Sequence, residues 1–79
     1  MFILVNDMSS KAEPNYIWYI CDLKYYENPN STWILEPTES LKRKNAMQFC
    51  ETKAKLLAEI LSNQTDEEGY SSRWIVEPV

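Results

Sequence analysis

The sequence predicts a two-layer α+β fold: a small antiparallel sheet in the order β-β-β-α-β, with one amphipathic helix packed on one face. Three observations lead there. Short runs of β-branched and aromatic residues recur before residue 37, and one helical periodicity follows them. The segment Ser31-Thr32-Trp33-Ile34-Leu35-Glu36-Pro37, ahead of that periodicity, returns after it as Ser72-Arg73-Trp74-Ile75-Val76-Glu77-Pro78. Each copy reads as a short strand entered from a polar loop and stopped at proline, which cannot donate to a ladder.

Residues 2–6 make the first strand, and Asp7 to Asn15 a connecting loop. The second strand carries the strongest β signal, because Tyr16-Ile17-Trp18-Tyr19-Ile20-Cys21-Asp22-Leu23 is almost continuously aromatic and β-branched; it reads as an inner strand that could continue to Tyr26. Glu27-Asn28-Pro29-Asn30 supplies turn chemistry. Thr32 to Glu36 then returns as the third strand.

Pro37 is expected to close that strand, and Asn45 with Gln48 to form a capping box ahead of a helix over Ala46 to Leu61. Cys50, Ala54, Leu57 and Leu61 make one ridge of this helix, and Phe49, Lys53, Leu56 and Ile60 the adjacent one. Gln48, Glu51, Thr52, Lys55, Glu59 and Ser62 take the opposite face, with Glu51 placed to pair with Lys55. Ser62 to Gly69 ends the helix, and Arg73 to Glu77 is the last strand.

One helix covers one sheet face only. Trp33, Leu35, Trp74 and Val76 are assigned to the covered face, so Ile34 and Ile75 point the other way. In the second strand both alternating sets are apolar: Ile17, Tyr19, Cys21 and Leu23 on one side, Tyr16, Trp18 and Ile20 on the other. With Cys21 inward, Tyr16, Trp18 and Ile20 join Ile34 and Ile75 on the open face, where Ile3 or Val5 could sit beside them. Such a patch is rich in the residue types of binding hot spots. Tyr25, Tyr26 and Arg73 would form its rim. Loops 7–15 and 24–31 could instead fold back over this face and turn it into ordinary core.

The 79 residues make a single domain, 1–79, too apolar to be disordered. Its 12 acidic and 8 basic residues give a net charge of −4, which opposes non-specific attachment to phosphate or anionic lipid. The local exception is Lys42-Arg43-Lys44, with Lys53 and Lys55 on the helix beyond; it is the alternative, nucleic-acid-binding site. No apolar run approaches the ~18 to 20 residues of a membrane span. Met1 to Val5 reads as a strand rather than a signal, so a cytoplasmic protein with no membrane partner is expected. Asn30-Ser31-Thr32 and Asn63-Gln64-Thr65 are then simply polar loops.

The chemistry available to this chain is narrow. It has no histidine, which removes Ser-His and Cys-His nucleophile pairs and nearly all zinc sites, and Gly69 is its only glycine, which removes phosphate-cradling loops. Cys21 and Cys50 read as small buried hydrophobes, with a bridge open only if both point inward. Glu36 and Glu77 could form a carboxylate pair only if the two similar strands were neighbours. No catalytic residue, metal or cofactor is assigned.

In composition the chain resembles the compact, acidic, glycine-poor proteins of phages and mobile elements, a class that includes anti-CRISPR and other anti-defence factors. The resemblance implies a non-catalytic module that inhibits a host protein or complex by occupying its surface. A homodimeric subunit is the competing expectation, and a nucleic-acid binder a third.

Overall fold

Phe2 to Val5 is apolar at every position because this segment becomes a central strand with both faces covered. The computed structural model describes residues 1–25, 34–65, 69 and 71–79. Strands β1 (Phe2–Asp7), β2 (Ile17–Tyr25), β3 (Leu35–Ser40) and β4 (Ile75–Pro78) form one antiparallel sheet in the spatial order β3-β2-β1-β4. Helix α1 (Glu51–Asn63) connects the two edge strands and packs on one face. This is the expected α+β architecture. No helix among the described residues is long and apolar enough to cross a membrane. The turn at residues 27–30, the beginning of the third strand at Thr32 and Trp33, and the acidic run 66–68 lie outside the described residues.

The facing of β2 corrects the sequence expectation. Val5 pairs with Tyr19 and Asn6 with Trp18, whereas the pairing with β3 slips between Ile20 and Asp22, leaving Cys21 as an extra residue. A bulge reverses the alternation on either side of it. Trp18 and Ile20 before the bulge, and Leu23 after it, all pack in the core beneath α1. Tyr19 and Ile17 face the other side, against Ile3 and Val5. Ahead of the bulge both sets are apolar because Tyr19 and Ile20 are buried on opposite faces, and the change of phase brings Leu23, beyond it, onto the face of Trp18 and Ile20. The Cys21 thiol, far from being core, donates to the Thr38 carbonyl at 3.3 Å.

β2 also leaves β1 beyond Ile20, and a later stretch of chain fills the gap. Met47 N–H donates to Ile20 O at 2.8 Å, and Phe49 exchanges two 2.8 Å bonds with Phe2. Residues 46–50 are therefore extended, and α1 begins at Glu51 with Cys50 as an exposed N-cap that makes no side-chain bond. The expected capping box does not form, because Asn45 ends a short 3₁₀ turn (Arg43–Asn45) and donates to Ser40 Oγ at 3.1 Å. Ala54, Leu57, Ala58 and Leu61 are the buried face of α1, and the Glu51–Lys55 pair forms at 2.7 Å.

Proline does not stop the strands. Pro37 lies inside β3, opposite Leu23, and Pro78 pairs with Phe2 in β4. Both strands are edges, the one place in a sheet where a residue without an N–H is tolerated. Because β3 and β4 sit at opposite edges, Glu36 and Glu77 do not form a pair. Glu36 stands across from Lys24, and Glu77 bonds Arg43.

Candidate interaction surface

The face away from α1 is built on a cross-strand row, Tyr19–Val5–Ile75, fixed by the pairing of Val5 with both neighbours. Among the described residues, part of it is covered by a segment outside the two expected loops, and residues 26–31 of the second loop lie outside the described residues. The covering is the segment after β3: Ala46 packs on Ile3, Val5 and Tyr19, and the Arg43 guanidinium lies 5.9 Å from the centre of the Tyr19 ring. Arg43 then reaches across the face to Glu77 Oε1 at 3.4 Å and the Pro78 carbonyl at 3.1 Å. Under this strap Ile3, Val5 and Tyr19 are buried. A shallow cleft of about 290 Å³ remains beside it, lined by Ile3, Arg43, Lys44, Ala46, Gln48 and Val79.

Beyond the strap the face stays open. Ile75 is 42% exposed although its partner Val5 is only 1% exposed. Ile17, two residues before Tyr19, is half-buried on the same face, and Asp7 is its partner on β1. Ser9 donates its backbone N–H to Asp7 Oδ1 at 2.9 Å, and hydrogen bonding to Ser9 holds that carboxyl below the usual range. Asp7 therefore keeps a negative charge directly across from Ile17, on the strand between it and Ile75. Arg73 is exposed two residues ahead of Ile75.

The remaining candidates divide. Ile20 is fully buried and Trp18 packs beneath α1, with Tyr16 meeting its ring edge-on at 5.7 Å, so none of these three lies on the open face with Ile75. Ile34 is half exposed ahead of β3, and Tyr25 is exposed at the end of β2, both at the far edge from Ile75. Tyr26 lies outside the described residues.

Nor do the five basic residues gather. Arg43 belongs to the strap and is engaged by Glu77, Lys44 lines the cleft beside it, and Lys42 precedes them. Lys53 and Lys55 belong to α1 on the opposite layer, Lys53 lying 6.0 Å from the Phe49 ring centre and Lys55 paired with Glu51. Among the described residues no group of three His, Cys, Asp or Glu side chains is placed to hold a metal ion.

The chain matches no family model, no curated protein and no solved structure.

Two polar residues at the end of α1 carry weight that the sequence did not signal. Ser62 Oγ accepts from Trp74 N–H at 2.8 Å and donates to Trp74 O at 3.2 Å. Gln64, itself buried, accepts from the N–H groups of Ile34 and Leu35 at 2.7 and 2.8 Å and donates to Leu35 O at 3.0 Å. Helix-end Ser and Gln are ordinary polar residues in a one-dimensional reading. Only the arrival of both repeat segments at the same helix terminus gives them partners.

Proposed function

We propose that this chain is a non-catalytic protein-binding module that works through the open sheet face, with Ile75 as its anchor, Ile17 two strands away on the same face, and Asp7 and Arg73 as charged neighbours. The observation that carries the reading is Ile75 itself. A large apolar side chain stands 42% exposed on a strand whose neighbouring position, Val5, is packed to 1% exposure. A projecting aliphatic group on a rigid platform fits a partner's apolar pocket with little ordering cost. The adjacent carboxylate sets orientation and favours a partner with a cation at that border. The chain's acidity and its likeness in composition to anti-defence proteins support the finer proposal, that the partner is a host protein and the effect inhibition.

The test is capture by immobilised wild-type protein, Ile75→Asp and Leu56→Asp, the last altering an exposed residue of α1. A partner retained by wild type and Leu56→Asp but lost with Ile75→Asp supports the reading. Equal retention by all three overturns it. So does a concentration-dependent dimer of the wild type that Ile75→Asp dissolves, because the face would then be filled by a second copy.

A further inference from the structure

The Glu-Pro pair recurs in both copies of the near-repeat, and the hydrogen-bond phase of the edge strands gives its prolines a role beyond the contact of Arg43 with Glu77 and Pro78. In an antiparallel ladder the N–H and C=O of one residue point to the same side, and successive residues alternate. Leu35 turns both groups away from β2, since both are bonded by the Gln64 side chain at 2.8 and 3.0 Å. Glu36 therefore points inward and Pro37 outward. On β4, Val79 N–H donates to Met1 O at 3.0 Å, so Val79, Glu77 and Ile75 bond toward β1 while Val76 and Pro78 point outward. The outward carbonyl of Pro78 is already held by Arg43 Nη2 at 3.1 Å.

We infer that Pro37 and Pro78, helped by Gln64 and Arg43, close both edges of this sheet to strand addition and so keep copies of the chain from pairing edge to edge. A docking strand needs a donor and an acceptor at every second residue of the edge it joins. On β3 the outward residues are Leu35, occupied by Gln64, then Pro37, which has no N–H, then Glu39. On β4 they are Val76 and Pro78. Each edge is left with one complete outward residue, Glu39 or Val76, too few to hold a strand. Glu-Pro recurs because each edge needs the same stop. Binding is thereby directed to faces rather than edges.

The experiment measures mass by light scattering over a hundredfold concentration range for wild type, Pro37→Val, Pro78→Val and the double variant. Each is also made with Ile75→Asp, so that association through the open face cannot be mistaken for strand pairing. Near-UV circular dichroism of the tryptophans confirms folding, and valine suits a strand position. Pro78→Val, at the end of the sheet, keeps the test readable should Pro37→Val not fold. The proline variants are expected to at least double in mass in both backgrounds as concentration rises, with amides of β3 or β4 gaining protection from hydrogen exchange. Folded proline variants that keep the wild-type mass throughout would overturn the inference, as would oligomers whose newly protected amides lie off β3 and β4.

Discussion

Gln64 and Leu35 form a two-way amide pair: the side chain of one substitutes for the missing neighbour strand of the other, at 2.8 Å from Leu35 N–H and 3.0 Å to its carbonyl. Ser62 makes the equivalent contact with Trp74 at the opposite side of the sheet. The last turn of α1 thus holds the starts of both edge segments, and the helix is tied to the sheet by polar bonds as well as by Leu57 and Leu61.

Removing either clasp leaves backbone groups without partners in part-buried surroundings. Gln64→Ala orphans two N–H groups and a carbonyl and is expected to cost about 3 kcal/mol, while Ser62→Ala is expected to cost about 1 to 2 kcal/mol. Urea denaturation measures both. Because the two side chains grip different strands, the double variant should lose close to the sum of the two.

The bulge at Cys21 makes opposite predictions for two isoleucines that alternation alone treats alike. Ile20→Ala empties a fully buried site and should cost about 2 to 4 kcal/mol. Ile75→Ala, at an exposed site, should cost below about 1 kcal/mol. Equal losses in denaturant midpoint would place the bulge elsewhere.

Much of the architecture is legible in the chain because it depends on local pattern. The apolar run of β1, the ridge Ala54–Leu57–Leu61 and the inward Trp74 and Val76 all follow from periodicity and burial. What periodicity cannot carry is phase. One extra residue in β2 moved Trp18 and Ile20 to the opposite face, and nothing local marks Cys21 as a bulge. Likewise the stretch 46–50 has helical spacing yet is extended, because Phe49 finds a strand partner in Phe2 that is distant in sequence. Ile75 kept its assignment because β4 is regular.

Carboxyl groups should titrate with opposite signs. Glu39, across the ladder from Ile20, is raised by partial desolvation although it reaches the surface, whereas Asp7 is lowered by hydrogen bonding to Ser9 and Glu51 by its bond and attraction to Lys55. For Glu39 the folded value lies above the unfolded one, so its contribution is present in acid and lost as pH rises through the folded value. Glu39→Gln should therefore be more stable than wild type near neutral pH, with the difference vanishing below the ordinary glutamate range. Asp7→Asn should show the reverse, a loss near neutral pH that disappears as pH falls through the lowered Asp7 value. Urea midpoints followed against pH check both signs.

The most direct test of the open-face reading is a side-chain footprint, by hydroxyl-radical labelling, of the chain free and bound to the partner that wild type captures and Ile75→Asp does not. Ile75 and Ile17 should lose labelling in the complex, while Leu56 on α1 and Tyr25 at the far end of β2 keep theirs. Protection of Leu56 with Ile75 still fully labelled would contradict it and move the binding surface to the helix.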